Sequence, residues 1–146
     1  MNRLHLQYLL VSFCATALLA IGVQIFILNL LTKNNEALAG AALSAGWWMN
    51  LATAGVVAIL AGRKAAANFI DPRIGKVAGT AVGVWVGVGA VFGEVAAALA
   101  LRAAVPRGDT RPGLILVFGL ISLIVSIIAA SIAGRETAHP PEAEEE

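Results

Sequence analysis

The stretch IGKVAGTAVGVWVGVGAVFGEVAAALALRAA, residues 74–104, decides how this chain folds. It stays apolar for longer than the roughly 18 residues that license a membrane-crossing helix, and it places glycine at 75, 79, 83 and 87. Ala90, Ala97 and Ala98 prolong that surface. Hydrocarbon gives apolar helices little hydrophobic reason to associate, so contact depends on close backbone approach, which small residues four apart allow. The spacing predicts a glycine-zipper helix whose packing face holds Gly75, Gly79, Gly83, Gly87 and Ala90. At about 100° per residue, Glu94 falls within roughly 20° of that face and Trp85 roughly 180° away, toward lipid or another subunit. Gly89 and Gly93 form a second smooth surface, displaced by more than about 100°. One surface suits a neighbour in the same chain and the other a neighbour in a different one.

Outside this segment the composition points the same way. With 59% hydrophobic and only 13% charged residues, and a mean hydropathy of +0.84, the chain is unlike a soluble domain. Four apolar stretches, at about 6–31, 37–62, 74–104 and 113–134, predict an all-α polytopic membrane protein, a four-transmembrane-helix bundle. The connections are too short for a soluble domain, so residues 1–134 form one transmembrane unit. Residues 135–146, ending Pro-Pro-Glu-Ala-Glu-Glu-Glu, have nothing apolar to anchor them and read as a disordered acidic tail. Asp71 before Pro72 marks a helix start, with a capping carboxylate preceding a proline whose missing N–H costs nothing at the first helical position. Asp109 or Thr110 before Pro112 does the same for the fourth helix. Arg63 to Ile70 reads as an ordinary basic loop that keeps to the headgroup side.

Arg3 followed by an apolar run, with Ala15-Thr16-Ala17 within it, resembles a signal peptide in outline. The run continues unbroken to Leu31, which favours a retained first helix. Cys14 follows bulky Phe13 and reads as an inert membrane-buried thiol rather than a lipid-bearing one. Arg3, Arg63, Lys64, Arg73, Lys76 and Arg135 fall on one side of the predicted topology, against Lys33, Arg102, Arg107 and Arg111 on the other. That excess places both termini in the cytoplasm, in a plasma or inner membrane.

Ionisable groups at bilayer depth are rare and mark either polar packing or a pathway. Glu94 is one, and Gln24 and Asn50 are the polar residues best placed to join it as a candidate protonatable or polar site. Gln24, Trp47 and Glu94 are expected at a similar depth, about a third of the way in from the outer surface. Small residues Ala37, Ala41 and Ala45, beside Gly40 and Ser44, make the second helix the expected partner of the glycine row. Arg102 lies too near the interface to pair firmly with Glu94. Ser122, Ser126 and Ser131 in the fourth helix read as packing or backbone-bonded serines.

No cofactor or metal is expected: His5 lies at an edge and His139 in the tail, neither placed to hold haem. No zinc spacing, P-loop or nucleophile elbow occurs. Enzyme activity is therefore not expected. The partners implied are the lipid bilayer and other membrane helices, in a hetero-complex or a homo-oligomer, with no nucleic acid. Two functions fit. The first is a non-catalytic membrane subunit or scaffold that packs on partner helices through its Gly/Ala faces. The alternative is a small proton-coupled transporter or channel component with Glu94 as its protonatable site.

Overall fold

The computed structural model describes residues 3–31, 37–104 and 112–138, with side chains for 3–22, 45–100 and 112–138. Four helices follow one another: α1 (Arg3–Leu31), α2 (Ala37–Ala66), α3 (Pro72–Ala104) and α4 (Pro112–Thr137). The fold is all-α, and four helices long and apolar enough to cross a bilayer make it an integral membrane protein. The longest and shortest, with 33 and 26 residues, extend about 50 and 39 Å, beyond the ≈30 Å of hydrocarbon. Their ends therefore reach the headgroups or the helices tilt.

Packing is turned inside out relative to a water-soluble bundle. The largest fully buried side chains are only Val86, Asn50, Thr16, Ser12, Ser122 and Ser126, while Leu18, Val77, Leu116 and Leu99 are among the most exposed. Large apolar side chains face lipid, and alanine, glycine and serine fill the interior, so the helices are held by close backbone contact. α3 touches all three other helices, whereas α1 and α4 do not meet among the described residues.

The glycines of α3 set two of these contacts. A methyl group added at Gly75 would strike the Gly134 carbonyl, and one at Gly79 the Ala130 carbonyl. At Gly83 it would lie 2.7 Å from the Ser126 carbonyl, and at Gly87 it would meet Leu123. The falling numbers on α4 show the two helices to be antiparallel. Gly89 instead faces Leu9, Ser12 and Phe13, and Gly93 faces Thr16, so α1 runs parallel to α3 on its other side. Ser12 Oγ adds an interhelical bond, donating to the Val86 carbonyl at 2.7 Å.

Two expectations change here. The glycine row meets α4, not α2, because Ser122, Ser126, Ala130 and Gly134 offer a small residue every four positions to match it; of the α2 surface that was expected to serve, the side chains of Ala37, Gly40, Ala41 and Ser44 lie outside the described residues. The second glycine surface is also filled from within the chain, by α1. Trp85, expected to face lipid or another subunit, is half-buried and stacks on His5 with ring centroids 5.8 Å apart.

α2 and α4 carry the same buried row. Asn50, Ala54, Ala58, Gly62 and Ala66 on α2 correspond to Ser122, Ser126, Ala130, Gly134 and Ala138, and all ten positions are buried. The sequence repeats with them: Ala61-Gly62-Arg63 and Ala66 return as Ala133-Gly134-Arg135 and Ala138. The chain is thus two α-hairpins in parallel, α1–α2 and α3–α4.

Helix ends follow local chemistry. Gly62 does not stop α2, since no described glycine has positive φ and Gly62 is instead pressed against the Ala130 backbone. Arg63 and Lys64 then occupy the last turn, where positive charge suits the helix dipole. Gly134 behaves alike: α4 runs on through Arg135 to Thr137, and Ala138, fully buried, packs on Gly75. The stretch assigned to a tail from Arg135 is therefore helical at its start, and residues from His139 on lie outside the described residues. At α3, the Arg73 N–H donates to Asp71 Oδ1 at 2.8 Å, and the Gly75 N–H to the Asp71 carbonyl at 3.0 Å. Asp71 is the N-cap and Pro72 the first helical residue. Asp71→Ala should lower stability by about 1 kcal/mol, read as an earlier unfolding midpoint in a detergent titration, while Asp71→Ser should retain most of it. The caps proposed at Asp109 or Thr110 lie outside the described residues.

Candidate functional site

Two sets of polar side chains are buried among the described residues: Ser12 and Thr16 of α1, against α3, and a set between α2, α3 and α4. There α2 contributes Asn50, α3 Glu94, and α4 Ser122, with Ser126 one turn further along. All are buried: Asn50, Ser122 and Ser126 completely, and Glu94 to within 4%. Ser122 lies 10 residues from Pro112, about 15 Å along α4, which puts the centre well inside the hydrocarbon.

Ser122 Oγ donates to Glu94 Oε1 at 3.3 Å. Nothing comparable serves the other carboxyl oxygen: Oε2 has no hydrogen-bond partner. The Asn50 side chain lies against the carboxyl group without a hydrogen bond of good geometry, so both its nitrogen and its oxygen are unpartnered. Ser126 Oγ is unpartnered too. Gly119 leaves the neighbourhood of Oε2 open, since a methyl group there would sit 3.5 Å from that atom. No charged side chain among the described residues acts on Glu94.

Three unpartnered atoms at one level, on Glu94 and Asn50, with a fourth on Ser126 a turn along, are unusual, because each buried group without a partner costs about 1–3 kcal/mol. The other buried hydroxyls are satisfied. Thr16 Oγ1 donates to the Ser12 carbonyl at 2.7 Å and Ser12 to Val86.

Of the residues singled out from sequence, Asn50 and Glu94 come together. Gln24 belongs to α1, with its side chain outside the described residues, as does that of Arg102 on α3. Trp47 does not reach the carboxyl group: it stacks on Phe118 at 5.1 Å, and Trp48 meets the same ring edge-on at 5.6 Å. Gly75, Gly79, Gly83 and Gly87 lie against α4 as described, and Ala90 is fully buried. Ser122 is the residue that sequence reasoning set aside. The repeat was the signal that would have found it, since Asn50 and Ser122 hold equivalent positions in the two hairpins. No protein-family model matches the chain, and no curated protein or solved structure is significantly similar to it.

Asn50→Leu should tell the site from ordinary packing. It removes two unpartnered atoms and keeps a similar volume, so stability should stay level or rise by about 1–2 kcal/mol while function is lost, the trade-off typical of working sites. A fall in the unfolding midpoint would make Asn50 a structural hydrogen-bonding residue.

Proposed function

We propose that the protein is a small, non-catalytic, proton-coupled transporter or channel component in which Glu94 takes up and releases a proton inside the bilayer. One observation carries this reading: a buried carboxyl group with one oxygen unpartnered, beside an asparagine that makes no hydrogen bond of good geometry. Polar glue between helices uses up its hydrogen bonds, whereas a site that exchanges a ligand keeps some in reserve. The repeat adds support. Transporters built from parallel repeats bind near mid-membrane at the junction of the halves, and here Asn50 comes from one hairpin, Glu94 and Ser122 from the other. We place both termini in the cytoplasm, with the six exposed basic residues Arg3, Arg63, Lys64, Arg73, Lys76 and Arg135 at that face. The test is proton movement into proteoliposomes under an imposed pH gradient. Wild-type protein should collapse the gradient faster than empty liposomes, and Glu94→Gln should not.

A second reading, a membrane subunit or scaffold, is favoured by the shape of the bundle. We take the Gly75–Gly79–Gly83–Gly87 row to be a glycine zipper that closes α3 on α4, so partner helices would use other surfaces. The unjoined outer faces of α1 and α4, with Leu10 and Leu18 on one and Leu116 and Ile124 on the other, suit that purpose. Native mass spectrometry from gently extracted membranes separates the cases: a different protein at fixed stoichiometry supports a subunit, and a homo-oligomer or monomer supports the transporter.

A further inference from the structure

We propose that the centre formed by Asn50, Glu94 and Ser122 binds one small monovalent cation, of Na⁺ or Li⁺ size, in exchange for the proton of Glu94. The inference rests on the reading of Glu94 as an exchanging group and names what it exchanges for.

The donor set points to a hard cation. Glu94 Oε2 and Asn50 Oδ1 are oxygen atoms without partners. Ser122 spends its hydrogen on Oε1, which leaves the lone pairs of its own oxygen available. Asn50 is the independent sign of a ligand: it is fully buried, lies against the carboxyl group, and makes no hydrogen bond of good geometry through either polar atom. Carboxylate, amide and hydroxyl oxygens suit alkali and alkaline-earth ions, while zinc and copper prefer nitrogen or sulfur ligands. Among the described residues no group of three His, Cys, Asp or Glu side chains exists to hold such a metal.

Charge then selects valence. One carboxylate faces the centre, and the groups opposite it are neutral: Asn50 from α2 and Ser122 from α4, with Ser12 and Thr16 of α1 bonded to backbone. A monovalent ion makes the centre neutral in a medium of low dielectric. A divalent ion would leave one uncompensated positive charge there, and an anion would add a second negative one. A proton on Oε2 achieves the same neutrality as Na⁺, so the two compete for a single place. Binding one releases the other, and each turnover moves one cation against one proton with no net charge.

The experiment uses the full chain in liposomes that enclose a pH-sensitive dye, acid inside, with NaCl, LiCl, KCl or choline chloride added outside at equal concentration. The same protein in detergent is unfolded thermally with NaCl or choline chloride at pH 8. NaCl and LiCl should release internal protons at least tenfold faster than choline chloride, with KCl close to choline, and NaCl alone should raise the unfolding midpoint. Glu94→Gln should abolish both responses, and Asn50→Ala should raise the half-saturating Na⁺ at least tenfold. Where Asn50→Ala fails to fold, Ser122→Ala takes its place. Proton movement that is lost in Glu94→Gln but runs equally in Na⁺ and choline, with no Na⁺-dependent midpoint, overturns the cation site and leaves the proton pathway standing. A Na⁺ response untouched by Glu94→Gln and Asn50→Ala also overturns it, by placing the site elsewhere. No proton movement above empty liposomes under any salt overturns both readings.

Discussion

Gly79→Leu separates α3 from α4 and removes the native bundle. The position has no room for any side chain: even a methyl group would fall on the Ala130 carbonyl and approach Cα of Gly134. Backbone atoms cannot swing aside as a flexible side chain can, so the helices must move apart. Overpacking of this kind typically costs about 1–3 kcal/mol for small additions, and leucine should exceed that range. Two opposing effects decide the milder Gly79→Ala. Alanine gains up to about 1 kcal/mol in helix propensity, but this is outweighed where the new atom meets backbone. Gly55 supplies the control, because a methyl group there reaches only Val125 Cγ1 at an ordinary 3.8 Å. In a detergent titration of unfolding, Gly79→Ala should shift the midpoint down and Gly55→Ala should leave it level or raise it. Equal behaviour of the two variants would mean that the small residues on α3 reflect composition rather than contact.

Glu94→Gln does the reverse: it keeps the fold and ends the function. Glutamine has the same length, retains an oxygen to accept from Ser122, and offers an N–H₂ group toward an Asn50 oxygen that now has no donor. Stability should therefore stay within about 1 kcal/mol of wild type. What disappears is the ability to carry a proton or a negative charge. Proton movement in liposomes should fall by about 100-fold or more, the scale on which a proton-transfer group acts. The comparison with Glu94→Leu is informative, because leucine strands Ser122 Oγ as well and should lower both stability and flux. If Glu94→Gln transports as well as wild type, the carboxyl group serves only as a spacer between helices.

The helices were legible because the bilayer enforces length and apolarity together, and because Asp71-Pro72 states a helix start in local chemistry. Their partners were less so. Glycines every four residues announced a contact face on α3, but the mate was hidden in α4, where Ser122, Ser126, Ala130 and Gly134 are spaced by large aliphatic residues. Reading each serine singly, instead of at its interval, made them look incidental. The ends expected at Gly62 and Gly134 fell short for a related reason: both glycines serve close packing, and the helices run past them. Glu94 was conspicuous as the carboxylate of an apolar helix. That Asn50 would face it, and Trp47 would not, depended on how α2 is rotated, and no periodicity within α2 alone carries that information.

The repeated row on α2 and α4 also bears on how the chain assembles. During synthesis α3 emerges beside α2, whose row Asn50, Ala54, Ala58, Gly62 and Ala66 is small, evenly spaced and already present. The row it finally docks on is completed last, at Ala138. The glycine face of α3 is therefore offered a near copy of its eventual mate before α4 exists. Two positions tell the rows apart, Ala54 against Ser126 and Asn50 against Ser122: asparagine is bulkier than serine and brings an amide without a hydrogen bond of good geometry. The residue at the polar centre is in this way also the one whose bulk should disfavour the early pairing.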